Sequence, residues 1–354
     1  MKILVLSALE LPYTIGARYT GLERLAYQFA EQFALLGHQV TLMAHKDTPP
    51  TKNISLLPCD GYENGETTHA ELRAFLNYQR EFYNFDAIWD ITHLHLPARF
   101  MNLPFINIFH ANPEYAFKLG YVKAPYNLVS WSKWGIREIA KYYKRGQPTQ
   151  NGGQKAVYQE TIMVDPEVYK PSGIRGNRFL TIGRMSSEKG NLNAAILCKE
   201  LGLEIDIAGG RGSEVKSGAP PTEYEQAIIR ICDGKQIIYH GEVSDEEKIS
   251  LMQNCKALLY MTDYVEITSH KVQEAMLCGA PVIVPNRGGI PEIVSHEIDG
   301  FLCSTEQDYV MAIQNINKLD PVKTREQLAY KYNPKIVAEG YINLLQRVVK
   351  GERW

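Results

Sequence analysis

Tyr264-Val-Glu266-Ile-Thr-Ser-His-Lys-Val-Gln-Glu274-Ala-Met-Leu-Cys-Gly-Ala-Pro-Val-Ile-Val284 sets two carboxylates eight residues apart around a predicted helix start. Just before it, the apolar run Ala257-Leu-Leu-Tyr-Met261 predicts a buried strand, and Thr268 or Ser269 stands where a helix N-cap belongs. The amides of His270, Lys271 and Val272 are then expected to have no intrahelical acceptor. Such a terminus carries roughly half a positive charge and several free donors, so it stabilises a phosphate without any side chain. Glu274 falls four residues past His270, on the same face. A carboxylate beside bound phosphate suits hydroxyl groups better than further anions. Glu274 is therefore expected to accept from a ribose diol, and Glu266 to face whatever hangs beyond the phosphates. This is a layout for gripping a sugar nucleotide. A plainer reading of the same spacing makes Glu274 an exposed helix residue and Glu266 a solvated loop charge.

Upstream, Thr181-Ile-Gly183-Arg184-Met-Ser-Ser-Glu-Lys189-Gly190 places two cations five residues apart after another apolar strand. Both can reach one diphosphate, Arg with a planar fork and Lys with a flexible point charge. Each such charged hydrogen bond contributes about 1.5–3 kcal/mol. The plainer alternative here is a surface Arg and Lys in a turn.

Together these segments resemble the family 4 retaining glycosyltransferases, also called glycosyl transferases group 1. Their GT-B architecture sets two Rossmann-like domains face to face across a cleft. The resemblance covers nearly the whole chain. It includes Gly-Arg-x(4)-Lys-Gly at 183–190, Gly241-Glu-Val-Ser-Asp-Glu-Glu247 before a helix, Asp263-Tyr-Val-Glu266, Glu274-Ala-Met276, Gly279-Ala-Pro-Val282 and Arg287-Gly-Gly-Ile-Pro-Glu292. Near the start, Tyr19-Thr-Gly21-Leu-Glu23-Arg24 is similar to the family's glycine-rich first loop. The chain departs from the pattern twice. Thr20-Gly21 stands where many relatives have two glycines, and Ile267-Thr-Ser-His270 where relatives show a glycine-bearing Phe-Gly-Leu type segment.

The resemblance implies an α/β chain of two parallel-sheet domains, an acceptor-binding domain over 1–165 and a nucleotide-sugar-binding domain over 172–333, with a C-terminal helix in 334–354 returning to the first. It implies retaining transfer of a sugar, of the hexosyltransferase type, from a nucleotide-diphosphate sugar to an acceptor hydroxyl. UDP is slightly preferred as the nucleotide, and the acceptor is a glycan, a lipid or a small molecule. Arg184 and Lys189 would neutralise the leaving diphosphate with the amides of Ser269, His270 and Lys271, needing no metal and no cofactor besides the co-substrate. Glu266 would orient the sugar hydroxyls, Glu274 the ribose, and Gly241 to Val243 would pack near the base. His110 and the Gly21 loop would meet the reacting centre from the opposite wall. Two alternatives stay open: a non-catalytic sugar-nucleotide-binding protein, and a GT-B nucleotide-sugar epimerase.

Bulk properties fit this reading. A chain of 354 residues suggests two domains, and a formal net charge of −2 offers no overall field for nucleic acid or acidic membranes. Six scattered cysteines without a Cys-x-x-Cys pair fit a reducing cytoplasm. The opening run Lys2–Ser7 is too short for a signal peptide, and no run of eighteen apolar residues occurs, so a soluble protein, at most peripheral on the inner membrane face, is expected. Apolar strands at 2–7, 39–43, 86–91, 105–109 and 127–130 alternate with helical patterns at about 21–36, 68–82 and 132–145. A second alternation begins at Phe179, with strands near 179–182, 203–207, 236–239, 257–261 and 281–284 and a final helix from Pro334 to Val349.

Other constellations weaken under inspection. Gly16-Ala-Arg-Tyr-Thr-Gly21 has P-loop-like spacing but continues into Leu22 rather than Lys. His93-Leu-His95 would put two imidazoles on one strand face, yet no nearby ligand set completes a metal site. His110 follows the run Phe105–Phe109, at the carboxyl end of a predicted strand where open sheets place ligands. The helix over 132–145 mixes cations with aromatics, which fits a solvated face and also leaves room for a membrane-surface contact.

Overall fold

Near-continuous apolar runs make strands that must be covered on both faces, and helices on both sides of a parallel sheet do so. The computed structural model describes residues 1–13, 21–49, 51–61, 67–118, 126–143, 156–173, 175–211, 220–320 and 322–354. The Gly16 to Thr20 part of the first loop and the polar stretch 145–154 lie outside the described residues. The chain divides into two units, Met1–Met163 with Pro334–Trp354, and Val164–Asn333.

In the first unit, β1 (Lys2–Leu6), β2 (Gln39–His45), β3 (Ile54–Cys59), β4 (Ala87–Asp90), β5 (Phe105–Phe109), β6 (Leu128–Ser130) and β7 (Ala156–Tyr158) form one sheet. Its order is β3-β2-β1-β4-β5-β6-β7, and every pair is parallel. Helices α1 (Gly21–Leu35), α2 (Thr67–Tyr78), α3 (Leu96–Phe100), α4 (Pro113–Lys118) and α5 (Lys133–Tyr143) connect the strands.

The second unit repeats the plan. β8 (Phe179–Ile182), β9 (Ile205–Ala208), β10 (Ile237–Tyr239), β11 (Leu258–Leu259), β12 (Val282–Pro285) and β13 (Gly300–Cys303) run in the order β10-β9-β8-β11-β12-β13, again all parallel. Its helices are α6 (Asn191–Glu200), α7 (Glu223–Ile231), α8 (Asp245–Asn254), α9 (His270–Leu277), α10 (Glu306–Asn315) and α11 (Val322–Lys331). Ser244 caps α8 with Glu247 answering back, the capping box that its sequence spells. β8 pairs with β9 on one side and β11 on the other, so the winding reverses there and a crevice opens at the carboxyl ends of β8 and β11.

The last helix, α12 (Pro334–Val349), belongs to the first unit. Tyr341 packs edge-on against Phe29 of α1, with centroids 4.8 Å apart, and Phe29 lies 4.7 Å from Trp89 of β4. Further along, Trp354 Nε1 donates to the Leu128 carbonyl at 2.9 Å. Residues 334–354 are thus tied to the first sheet by a buried aromatic cluster and a backbone contact.

Three strands are missing from the periodicity reading: β3, β7 and β13. All three are sheet edges, two of them with four or fewer residues, so pairing defines them more than pattern. β11 is shorter than the apolar run 257–261, because past Tyr260 the chain leaves the ladder and Thr262 Oγ1 donates to the Glu188 carbonyl at 2.6 Å. The expectation that His93 and His95 share a strand face is corrected. β4 ends at Asp90, whose carboxylate accepts from both the amide and the hydroxyl of Thr92, and the turn leaves His95 in the left-handed region at the start of α3.

The close approach of the β8 and β11 loops requires a glycine. Gly190 has φ +70°, and a Cβ there would stand 1.9 Å from the Met261 carbonyl oxygen. Gly202 has a similar φ of +67° with nothing near. In urea melts, Gly202→Ala is expected to lower stability by about 1 kcal/mol and Gly190→Ala by at least ~3 kcal/mol, since it adds a backbone clash to the same left-handed strain. Equal losses would remove the close approach as a constraint.

Candidate functional site

The crevice at the carboxyl ends of β8 and β11 collects the charged residues singled out above. Arg184 and Lys189 leave β8 on the loop that closes in Gly190, and Glu266 sits on the loop between β11 and α9. Lys189 Nζ meets Glu266 Oε1 at 2.8 Å, and Tyr260 donates its hydroxyl to the same oxygen at 2.5 Å. Arg184 reaches Glu188 Oε1 at 2.8 Å. Glu274, in the second turn of α9, accepts from Lys248 of α8 at 2.9 Å and from the Tyr169 hydroxyl at 3.0 Å. Aromatic faces line the cations: Lys189 Nζ is 4.5 Å from the Tyr264 centroid and Lys271 Nζ 4.0 Å from that of Tyr260.

These pairs settle the charges. Burial works against ionisation of Glu266, but Lys189 and Lys271 outweigh it and hold the carboxyl below the usual range. Burial likewise opposes the charge on Glu274, and Lys248 overrides it. Lys248 in turn is pushed up by Glu274 and Tyr169 against its own burial. The crevice therefore holds both carboxylates ionised and bound to internal cations.

Ser269, one of the two expected positions, is the N-cap of α9, but the first turn is tighter than an ordinary α-turn. The Val272 amide donates to the Ser269 carbonyl at 3.2 Å, so it is not one of the open donors that the sequence suggests. The side chain of Ser269 makes no cap, and its Oγ is buried without a hydrogen-bond partner. Gly241 follows β10 with φ +70°, and its carbonyl accepts from the Gly209 amide at 2.8 Å. That contact ties the turn bearing Gly241 and Val243 to the end of β9.

In the first unit, His110 comes directly after β5, and Gly21 opens α1. His110 stands edge-on to His93 with ring centroids 5.0 Å apart. His93 Nδ1 lies 2.8 Å from Glu71 Oε1, and its Nε2 lies 3.8 Å from Glu10. Burial opposes a charge on His93, but Glu71 outweighs it and raises the imidazole. Burial and the neighbouring His93 drive His110 well below its usual value, leaving it neutral. Glu23, in the first turn of α1, is buried, and desolvation lifts it to about 7.

Sequence reading missed Lys248, Tyr169, Tyr260 and Glu71. Lys248 sits right after the capping box, where a fourth charge in a row looks like a solvated helix face. Tyr169 and Glu71 reach their partners across 105 and 22 residues, and no local pattern carries such a distance.

Comparison with known proteins agrees with this fold. The model of the family Glycosyl transferases group 1 matches residues 170–333, the greater part of the second unit. Alpha-1,3/1,6-mannosyltransferase ALG2 of Homo sapiens is 28% identical over 145 residues, which are 39% of this chain and 35% of that protein. The match thus spans about a third of that relative's length. Sucrose-phosphate synthase from Thermosynechococcus elongatus superposes with a TM-score of 0.78 at 17% identity, over 99% of this chain and 100% of that one. Anabaena HepE, solved with UDP-glucose, gives 0.66 at 17% identity over 99% of both chains. Both likenesses establish the two-domain fold of GT-B glycosyltransferases.

The ion pairs make an acid-stability prediction with a definite sign. Glu266 and Glu274 bind protons more weakly in the folded chain than at the ordinary value of 4.5. Their contribution is fully present above that value and is lost as pH falls through the depressed folded values. Replacing both by Gln is expected to flatten the slope of unfolding free energy against pH between about pH 3 and 5, read from urea melts at each pH. An unchanged slope would show that these pairs do not set the acid limb.

Proposed function

We propose that the protein is a retaining glycosyltransferase that takes a sugar from a nucleoside diphosphate donor held in the β8–β11 crevice and transfers it to an acceptor hydroxyl. The observation that carries this reading is the gathering of Arg184, Lys189, the start of α9 and two ionised glutamates at the switch point of the second sheet. That crevice lies within the segment matched by the family model. When the bond to the anomeric carbon breaks, negative charge grows on the departing diphosphate. Arg184 and Lys189, with the first amides of α9, are assigned to meet that charge. Fixed donors of this kind commonly carry about 100- to 1000-fold in rate each. The cations supply the compensation a divalent metal gives elsewhere, so the reaction is assigned as metal-independent.

Glu274 is assigned to the ribose and Glu266 to the hydroxyls of the transferred sugar, and the turn Gly241 to Val243 to the base. His110, kept neutral, is the proposed polar contact on the acceptor side, where an imidazolium would repel nothing but accept no proton. The likeness to a protein solved with UDP-glucose supports UDP as the nucleotide. The acceptor is assigned only as a hydroxyl compound, a glycan, a lipid or a small molecule. No described helix is long and apolar enough to cross a membrane, and peripheral contact through the basic, aromatic α5 is compatible with a lipid acceptor.

Thermal-shift screening against UDP-, GDP- and ADP-sugars tests the donor class, since a ligand at about a hundred times its dissociation constant stabilises by about 2.7 kcal/mol. Product formation should then survive EDTA, and abolition with rescue by manganese or magnesium would contradict the assignment. Titration calorimetry separates the two carboxylates. Glu274→Gln should weaken both the free nucleotide and the intact donor by about 1–2 kcal/mol. Glu266→Gln should spare the free nucleotide and lose affinity and turnover only with the intact donor. Equal loss of nucleotide affinity in both variants would sink these roles.

A further inference from the structure

Four cations approach the crevice, and three are already neutralised from within. Lys189 is paired to Glu266 at 2.8 Å, Arg184 to Glu188 at 2.8 Å and Lys248 to Glu274 at 2.9 Å. Lys271 differs: among the described residues no carboxylate oxygen lies within ion-pair distance of its Nζ. Its amine rests instead on the Tyr260 ring, 4.0 Å from the centroid. It also fills the space over the β8 loop, 2.5 Å from where a Cβ on Gly183 would stand, so the bare glycine backbone admits it. Its own amide belongs to the first turn of α9.

We propose that the Lys271 amine is the cation that receives the donor's diphosphate first, and that this side chain, not only its backbone, reads the donor. The inference rests on the donor reading above. An anion entering the crevice must compete with Glu266 for Lys189 and with Glu188 for Arg184, whereas Lys271 has no carboxylate at ion-pair distance among the described residues. It stands over the first turn of α9, where the helix terminus favours the same anion.

The groups facing Lys271 give the binding step a proton signature. Lys189 and Arg184 lie on the β8 loop, Glu266 and Tyr260 on the segment after β11, and Glu274 on its own helix. Burial first, then repulsion from Lys189, outweigh the attraction of the two glutamates and lower the amine to about 7. Without ligand the amine is mostly neutral above that pH, which spares the crevice an unpaired charge. A diphosphate beside it restores the ordinary preference for the ammonium form. Donor binding on the alkaline side therefore takes up a proton from solvent, and on the acidic side takes up none.

The test is calorimetry at about pH 8, in Tris and in a buffer of low ionisation enthalpy, with UDP-glucose, GDP-mannose and ADP-glucose as probes. None of these sugar nucleotides itself gains or loses a proton near that pH. For the probe that binds, uptake of nearly one proton is expected in the wild type, falling toward none at about pH 6. Lys271→Met keeps length and apolar character, and is expected to abolish the uptake and weaken binding at least ~10-fold. Binding without uptake, or affinity within about twofold of wild type in Lys271→Met, overturns the role of Lys271 and leaves the donor reading standing. If circular dichroism shows Lys271→Met unfolded, the wild-type proton count decides alone. Failure of all three probes to bind the wild type overturns the donor reading, and this inference with it.

Discussion

The ion pair between Lys189 and Glu266 fastens the loop leaving β8 to the loop leaving β11, and the geometry of the crevice follows from that join. The same two loops are stitched by backbone. The amides of Asp263 and Tyr264 and the hydroxyl of Thr262 all converge on the Glu188 carbonyl, and Gly190 lets Met261 approach without a side chain between them. On its far side, the Glu266 carbonyl accepts from the Gly289 amide at 2.9 Å, so the segment Arg287-Gly-Gly-Ile-Pro-Glu292 braces the same loop. A partly buried, hydrogen-bonded ion pair with this much support is held in one geometry, which is what a preorganised electrostatic site needs.

Compensation of charge is the second organising feature. Burying Glu266 and Glu274 singly would be unfavourable, yet each finds a lysine and a tyrosine hydroxyl, and each stays ionised. The arrangement leaves two carboxylates available to accept from hydroxyl groups while the lysines keep their charge. A ligand that brings its own negative charge exchanges partners in such a network rather than entering an empty one. Among the described residues of this network, the amine outside the pairing, that of Lys271, is also the one driven toward neutrality.

The first unit shows the same economy in imidazoles. Glu71 accepts from the backbone amides of His93 and Leu94 as well as meeting the His93 ring, so the turn after β4 is built on one buried carboxylate. With His93 drawn toward the protonated form and His110 held neutral 5.0 Å away, two rings of one residue type carry different charges at one pH. Environment, not identity, decides which of them can accept a proton.

The amino-acid sequence by itself determined the alternation of short apolar runs with helices, and with it two parallel sheets, because a strand covered on both faces must be apolar throughout. The capping box at Ser244 and Glu247 is likewise local, two residues three positions apart that satisfy each other's backbone wherever they stand. The tertiary structure alone decided the edge strands β3, β7 and β13, each of which exists through the hydrogen bonds of a single partner strand. The return of residues 334–354 to the first domain was already implied by the family resemblance, but the contact that makes it, Tyr341 on Phe29, came from the folded chain. It alone decided which charge meets which: Tyr169 and Lys248 reach Glu274 across 105 and 26 residues. A sequence displays which residues carry charge, but the energy of a charge depends on the distance to its partner and on the water removed around it, and only the folded chain sets both.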